Sequence, residues 1–428
     1  MGLATQLQQL GHETIFIGNE LVVDVAKERG VEAIRLPISD VKGPVPYNES
    51  IPVRWMHYDE RMAYSLAKLG VDGVENLFAD IKPDLVLVDQ EMAHIVIPLV
   101  GMGVNTALVS NYLCTVSRPG MPPLSDYCVP GDGFLGTRTG IRWLWWKYRF
   151  RRWVANTRNW IASGRVNRIS TLMALARKTG FDTRRHLRLY EWLIPFNLVS
   201  LPMIYTPPEV FEFPHEIPED TLYLGCTVDE SRRSDTIEAT LEAILDRRDT
   251  DRRLVYCSFG TFFEGDDTSF MQRVVEALNE LEDIDIVIGL GGRGDVDALG
   301  MLAPHVVART WVPQLDVLDA ADAALIHAGS GTIAECLFYG VPFVTYPFDV
   351  NDQLGSASRA VYHGIGVLGD REGDSVSEIM SKVMIALDDP TIRSNVDEMR
   401  DRYFDSVQDG RLKALIDKLL SGKGPDGF

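Results

Sequence analysis

The sequence has few cysteines and no hydrophobic run long enough to cross a membrane. Its five cysteines are an odd number, widely scattered, with no CxxC spacing and no histidine cluster at metal-ligand intervals. This pattern argues against a disulfide framework or a zinc site and predicts reduced thiols. The sequence also lacks the basic and apolar regions of a secretory signal and any run of about 18 apolar residues. We therefore expect a cytoplasmic protein, neither secreted nor membrane-spanning.

Positive charge is also scarce. The 42 lysine and arginine residues are outnumbered by 61 aspartate and glutamate residues, which gives a formal net charge of -19. Affinity for nucleic acid comes mainly from lysine and arginine, so this balance argues against nucleic acid as a partner. This charge balance is compatible with a small neutral or cationic ligand.

What the sequence does contain is a repeated alternation of short apolar runs and helical stretches, spread over 428 residues. The chain opens inside a helix, and apolar runs follow at residues 14–17, 85–88, 107–109 and 198–201 in the first half. In the second half they lie at residues 254–259, 284–288, 306–308, 323–327 and 343–346. Such alternation is typical of βαβ units, and the length predicts two doubly wound α/β domains. An acidic stretch poor in large apolar residues places the linker near residues 225–234.

The most informative segment is WVPQLDVLDAADAALIHAGSGTIAECLFYGVPFVTYPFDVNDQ, at residues 311–353. Within it, residues 323–326 read as a strand and residues 327–331 as a turn with two glycines. A helix follows, with Thr332 and Glu335 at the spacing of a capping box. A helix N-terminus offers free N–H groups and partial positive charge to an anion, and a diphosphate is the natural guest. An ordinary strand-to-helix turn with a capping threonine explains this local pattern equally well.

The whole segment resembles the signature of the family 1 glycosyltransferases, which have the GT-B fold, and in particular the bacterial macrolide and zeaxanthin glucosyltransferase type. The match covers about a tenth of the chain. The resemblance implies two Rossmann-like domains that face a cleft, with an acceptor-binding domain at residues 1–225. A nucleotide-sugar domain would occupy residues 235–390, and residues 391–428 would form helices that cross back to the first domain. No metal or other cofactor is expected.

Carried over to this sequence, the resemblance implies a set of donor-binding residues. Trp311 would stack on the nucleobase, Gln314 would lie beside the base and ribose, and Glu335 would hold the ribose hydroxyls. The remaining donor contacts would be Val312, the diphosphate ligands His327, Gly329, Ser330, Gly331 and Thr332, and the sugar ligands Asp352 and Gln353. A closing glutamine is more typical of glucose than of galactose. In the SFGT turn at residues 258–261, Ser258 and Thr261 resemble the family's small-residue turn near the phosphates, although an ordinary strand end explains them equally well.

Two other motifs point to different chemistry and are rejected. Gly289, Gly291 and Gly294 match GxGxxG after a strand, but the next strand begins too soon for the crossover helix of a dinucleotide-binding fold. Asp283 and Asp285 form a DxD pattern, which would indicate a metal-dependent transferase, yet they lie at the start of a predicted strand.

The catalytic base is the missing part of the pattern. In the family it is a histidine after the first strand of the first domain, oriented by an aspartate after a later strand; Asp89 occupies the place of that aspartate. His12 and His94 are poor substitutes for the histidine. We also expect the first strand, which would lie in the middle of the sheet, to be missing, and its absence would leave buried backbone groups unpaired. We expect either that a longer reading frame supplies both or that the chain is an inactive paralogue.

The acceptor side is predicted to lie in the first half of the chain. There, residues 133–181 contain no acidic residue, and eleven lysine and arginine residues are interleaved with five tryptophans. One interpretation is an amphipathic helical region with its aromatic residues in the core. The other is a surface that contacts anionic membrane and collects a lipophilic acceptor. Tyr112, Met121, Trp143 and Trp146 are the predicted acceptor walls.

Together these observations predict an inverting glycosyltransferase that moves a hexose from a UDP-sugar to a hydroxyl of a hydrophobic small molecule. The alternative from another class is a non-catalytic GT-B protein that binds a nucleotide sugar or assists a true transferase. A nucleotide-sugar epimerase is disfavoured because the pattern at residues 311–353 is that of transferases. The sequence leaves UDP and dTDP donors both open.

Overall fold

The structure, a computed structural model, describes residues 2–421 apart from 37–55, 193, 195, 226–227, 231–232, 234–236, 246–251, 260–267, 293, 349 and 408–409. The described helices of the first half are α1 (Gly2–Gln9), α2 (Glu20–Glu28), α3 (Tyr58–Lys68), α4 (Val71–Ile81), α5 (Ala93–Gly101), α6 (Arg138–Ala162), α7 (Arg168–Thr179) and α8 (Thr183–His186). Its strands are β1 (Ile15–Gly18), β2 (Glu32–Arg35), β3 (Val86–Asp89), β4 (Thr106–Ser110), β5 (Leu187–Leu189), β6 (Phe196–Leu198), β7 (Met203–Tyr205) and β8 (Thr221–Tyr223).

The second half repeats the alternation of helix and strand. Its helices are α9 (Ala239–Leu245), α10 (Thr268–Asn279), α11 (Gln314–Ala320), α12 (Ser330–Tyr339), α13 (Gln353–Tyr362), α14 (Val376–Asp388), α15 (Pro390–Val407) and α16 (Arg411–Leu420). Its strands are β9 (Arg253–Ser258), β10 (Ile284–Gly289), β11 (Val306–Arg309), β12 (Ala323–Ile326), β13 (Phe343–Thr345) and β14 (Gly366–Leu368). None of the described helices combines the length and the hydropathy that a membrane span requires.

The sheet of the second half has the order β11-β10-β9-β12-β13-β14, with every pairing parallel. Its strands are largely apolar and buried on both faces, as expected when helices cover both sides of a parallel sheet. Strands β10 and β11 lie on one side of β9, and β12, β13 and β14 lie on the other side. The topological switch point therefore lies between β9 and β12. In open α/β sheets, ligands bind outside the carboxyl ends of the strands at this point.

The first half has a shorter parallel sheet of order β3-β4-β7-β8, while β1 and β2 form a parallel pair of their own. Strand β4 is almost entirely buried, whereas the apolar residues of β1 and of the start of β3 are only half-buried. A doubly wound sheet would be continuous, so within the described residues this one is interrupted between β1 and β3.

The predicted strand at residues 198–201 is wrong. Leu198 ends β6, which pairs antiparallel with β5, and β7 begins only at Met203. Between them Ser200 has a left-handed backbone with φ of 58°, a conformation incompatible with an uninterrupted strand. The apolar run therefore contains a turn between two short strands.

The C-terminal helices pack against the first half of the chain. Leu415 and Leu419 of α16 share a buried cluster with Ile204 and Leu222 of the first sheet, and Asn105 Nδ2 donates to the carbonyl of Leu419 at 2.7 Å. Helix α15 packs against the short 3-10 helix Glu209–Phe211.

A buried ion pair also joins the two halves. Arg359 of α13 donates from Nε to Glu212 Oε1 at 2.5 Å, and the side chains are 0% and 1% exposed. The guanidinium of Arg359 lies 4.3 Å from the ring centre of Phe213. Nearby, Gly355 N donates to the Leu124 carbonyl at 2.9 Å, and a Cβ on Gly355 would lie only 2.2 Å from that oxygen. Helix α13 is thus fixed to the first half along its length.

Candidate functional site

The turn between β12 and α12 has a conformation that leaves a helix N-terminus open. Ala328 is fully buried with a φ of 65°, a strained backbone for a residue with a Cβ. A Cβ on Gly329 would lie 2.4 Å from His327 Nε2, so the histidine ring lies directly against this glycine. The predicted capping box is wrong, because α12 begins at Ser330 with Gly329 as its N-cap and no side-chain cap. The first N–H groups of α12 therefore remain available to an anion.

Several buried polar atoms near this turn have no hydrogen-bond partner among the described residues, and His327 Nδ1 and Asp352 Oδ2 are two of them. Burial lowers the pKa of His327 to about 4, so its imidazole is neutral at pH 7. Burial raises the pKa of Asp352 to about 6. Buried polar atoms are costly to leave unpaired, so these two are positioned to pair with a polar ligand.

The predicted base and ribose contacts gather beside the same turn. Gln314 Nε2 donates to Glu335 Oε2, while Tyr256 donates to Gln314 Oε1 at 3.0 Å. Trp311 is 65% exposed, so its ring offers a free face for stacking. Val312 is buried, and its Cγ2 would lie 2.7 Å from a Cβ on Gly289. That glycine of the rejected GxGxxG motif therefore makes room for packing.

The remaining donor-site predictions differ in their surroundings. Ser258 ends β9 and is buried at the switch point, whereas Thr261 lies outside the described residues. Thr332 is half-buried in the first turn of α12. Gln353 is buried, and its Oε1 accepts from the backbone N of Phe348 at 2.7 Å, so part of its amide shapes the preceding loop. Ser258 and His327 thus follow the carboxyl ends of the neighbouring strands β9 and β12, while Asp352 and Gln353 follow β13.

The loop after β4 brings the first half of the chain to this turn. Ser330 Oγ donates to the Asn111 carbonyl at 3.1 Å. Next to Asn111, Tyr112 has its pKa raised by burial and then by the negative charges of Glu91, Asp352 and Asp89. The ring of Tyr112 packs 5.0 Å from that of Trp192. Carboxylates from both halves of the chain therefore act on the pKa of one tyrosine.

Two residues near Tyr112, Glu91 and Trp192, were not predicted from the sequence. Trp192 Nε1 donates to Glu91 Oε1 at 2.9 Å, and Asp89 Oδ1 accepts from Glu91 N at 2.8 Å. Burial raises the pKa of both carboxyl groups. Glu91 follows Asp89 by two residues, so its position near a strand end is the only sequence feature that could have predicted it. No sequence feature could have predicted Trp192.

Other predicted residues lie elsewhere. Met121 is 1% exposed in the core and offers almost no surface to a ligand. Trp143 and Trp146 are 45% and 61% exposed on α6, and Trp146 lines a cavity between α6 and the loop of Ser117 to Gly120. His94 is buried within α5, and burial lowers its pKa to about 4.

The rejected metal motif also has a structural explanation. Asp285 is buried at the start of β10, where its Oδ1 accepts from Arg252 Nε at 3.1 Å. Cys114, Cys128, Cys257 and Cys336 are buried free thiols, while Cys226 lies outside the described residues.

Comparisons with known proteins agree on the class of protein. Over nearly the whole chain, the fold is similar to a solved glycosyltransferase of kitacinnamycin, with a TM-score of 0.67, 19% identity, and coverage of 98% of this chain and 94% of that one. The predicted GT-B fold of two Rossmann-like domains is confirmed. Residues 272–407 match the family described as Erythromycin biosynthesis protein CIII-like, C-terminal domain.

Parts of the chain are also similar in sequence to curated glycosyltransferases. The chain is 26% identical to the NDP-glycosyltransferase YjiC of Bacillus subtilis over 194 residues, which cover 45% of this chain and 47% of the relative. It is 30% identical to demethyllactenocin mycarosyltransferase of Streptomyces fradiae over 165 residues, 38% of this chain and 34% of the relative. The matched segments span less than half of these relatives. The chain is thus similar in fold, and in part of its sequence, to bacterial natural-product glycosyltransferases of family 1.

Proposed function

We propose that the protein transfers a hexose from a UDP-sugar to a hydroxyl of a hydrophobic small molecule, with inversion at the anomeric carbon. The observation that carries the proposal is the pair of unpartnered buried atoms, His327 Nδ1 and Asp352 Oδ2, beside the uncapped start of α12. A neutral imidazole N–H suits a phosphate oxygen, and a carboxylate oxygen suits a sugar hydroxyl. The three features together match the polar groups of a nucleotide sugar.

The diphosphate would be held by backbone N–H groups of residues 329–332 and by His327, so we propose that no metal or other cofactor is required. Trp311 would stack on the base, and the Gln314 and Glu335 pair would meet the ribose. Asp352 and Gln353 would bind the sugar, for which glucose is favoured by the closing glutamine. These groups act by holding the leaving diphosphate and orienting the anomeric carbon.

In the transfer step the acceptor oxygen loses its proton, bonds to the anomeric carbon, and displaces UDP. The carboxylates at the end of β3 lie on the acceptor side of the cleft, and Asp89 is the residue proposed to assist proton removal. Its raised pKa makes it a stronger base than an ordinary carboxylate. Tyr112 and Trp192 form the aromatic wall against which an apolar acceptor would pack.

The test is calorimetric titration of UDP into the wild type and His327→Ala. Loss of a charge-assisted hydrogen bond should weaken binding by about 1 to 3 kcal/mol, or roughly 5-fold to 150-fold. His363→Ala is the matched control, because His363 is a half-buried histidine of the same half, outside this turn. Equal affinity of folded His327→Ala and wild type would refute the site, and a preference for dTDP would change the donor.

Turnover separates the enzyme from a non-catalytic protein of the same fold. UDP-glucose and a phenolic or alcoholic test acceptor should yield glycoside and stoichiometric UDP. Tight UDP binding without any glycoside, across a panel of hydrophobic alcohols and both nucleotides, would favour the non-catalytic nucleotide-sugar-binding protein.

A further inference from the structure

Helix α6 divides its side chains between an inner face and an outer face. Ile141, Leu144, Trp145 and Tyr148 are buried and form a small cluster with Cys128. The inner face is fastened to the rest of the first half, since Trp145 Nε1 donates to the Met121 carbonyl at 2.7 Å and Arg149 pairs with Glu191. The packing of the inner face explains why a helix forms here. It does not explain why the outer face carries aromatic side chains.

The outer face of α6 is a row of exposed aromatic side chains. Trp143, Trp146, Phe150 and Trp153 are between 45% and 61% exposed and extend for about 15 Å along the helix. Trp146 stacks on Phe150 with ring centres 5.5 Å apart, and Phe150 lies 6.0 Å from Trp153. Exposed apolar surface of this extent marks an interaction site rather than ordinary surface.

Cationic side chains border these aromatic rings. Arg138, Arg142 and Arg158 of the same helix have no ion-pair partner in the part of the chain that the structure describes. Lys147 lies with its Nζ 5.3 Å from the centre of the Trp143 ring. Because residues 133–181 contain no acidic residue in a chain of net charge -19, the remainder of the protein is more acidic still. An anionic surface would attract this face and repel the others.

We infer that the outer face of α6 docks on a bilayer that contains anionic lipid. Tryptophan and arginine both favour the boundary between headgroups and acyl chains, where the ring is buried and the cation stays hydrated. A planar surface can contact the whole row of rings at once, whereas a small anion would contact only part of it. Phe134 and Leu135, 69% and 40% exposed just before α6, and Ile161 near its end, 65% exposed, extend the apolar surface.

The docking face borders a cavity of the first half of the chain. A cavity of about 840 Å³ runs between α6 and the loop of Ser117 to Gly120, and Trp146, Phe150 and Trp153 line it. The same loop follows Tyr112 in the chain. Resting on the proposed function, a lipophilic acceptor would pass from the bilayer into this cavity. Binding to the bilayer itself requires neither donor nor acceptor.

The experiment is sedimentation of the full chain with phosphatidylcholine vesicles that contain about a third phosphatidylserine, compared with pure phosphatidylcholine. Binding should require phosphatidylserine and fall steeply between about 50 mM and about 500 mM salt. Arg138→Gln/Arg142→Gln/Arg158→Gln should weaken binding about 100-fold, from the usual contribution of each cation near such a surface. Trp146→Ser/Phe150→Ser/Trp153→Ser should abolish insertion, seen as loss of the blue shift in tryptophan emission and of quenching by brominated lipid.

Controls keep the result specific. Met301→Ser/Arg402→Gln removes an exposed apolar and an exposed basic side chain from the second half and should bind vesicles like the wild type. UDP affinity should be unchanged in all variants, so failure of the docking face is distinguishable from failure of the donor site. Indifference to anionic vesicles at low salt would overturn the inference. So would a dimer, seen by light scattering, that the serine variant dissociates, because a second copy would then cover the face.

Discussion

Removal of Arg359 should destabilise the protein more than removal of any exposed cation. Arg359→Met takes away the only cation found beside Glu212 in the described structure and leaves that carboxylate with two backbone donors, Cys114 N at 3.0 Å and Phe213 N at 2.8 Å. Both side chains are at most 1% exposed, so water cannot replace the lost charge. Breaking one side of such a buried pair costs about 3 to 5 kcal/mol.

Equilibrium unfolding in urea, followed by tryptophan fluorescence and circular dichroism, measures the loss. Arg359→Met/Glu212→Leu should recover much of it, because two apolar side chains remove the uncompensated charge. Lys413→Met is the control: the pair Lys413 and Asp417 is more than half exposed, and its loss should cost less than about 1 kcal/mol. A loss for Arg359→Met as small as that of the control would refute the idea that this ion pair holds the two halves together.

Two further predictions concern the cleft. The pKa of Asp352 is raised to about 6, so the folded chain binds this proton more tightly than the unfolded chain; the destabilisation present above pH 6 should be relieved as pH falls through 6 toward 3.8. Unfolding free energies at several pH values should show up to about 3 kcal/mol of this dependence missing in Asp352→Asn, and identical pH profiles would contradict it. Asp89→Ala should lower transfer by about 100-fold or more with UDP affinity retained, whereas His94→Ala should reduce the unfolding midpoint and leave turnover of the folded enzyme within about twofold. Loss of turnover in folded His94→Ala would make the histidine the base.

The sequence predicted the second half well because its chemistry is local. A strand, a glycine turn and a helix follow one another within residues 323–339, and this order alone places His327 and Ser330 at the sheet edge. The capping box failed because the start of α12 is set by the backbone of the turn. With Ala328 left-handed and the ring of His327 against Gly329, the helix starts two residues before Thr332.

The contacts of the first half could not be predicted in the same way because they join distant parts of the chain. Glu212 and Arg359 are 147 residues apart in sequence, and Glu91 and Trp192 are 101 apart. No periodicity links such partners, and a single charged or aromatic residue carries no sign of its future neighbour. Met121 was predicted to contact the acceptor because it lies in the first half of the chain. Its side chain is instead buried in the core.

Helix α13 belongs to the second half by chain order and to the first half by attachment. Its first residues include the proposed sugar ligand Gln353, while Ser358 Oγ accepts from Cys128 N at 2.9 Å and Arg359 is paired with Glu212. A chimera joined near residue 225 would therefore place α13 against a foreign surface. Engineers who exchange halves between relatives to recombine acceptors with sugars should transplant α13 together with the loop around Glu212. Part of the proposed sugar selectivity would then be exchanged together with the first half of the chain.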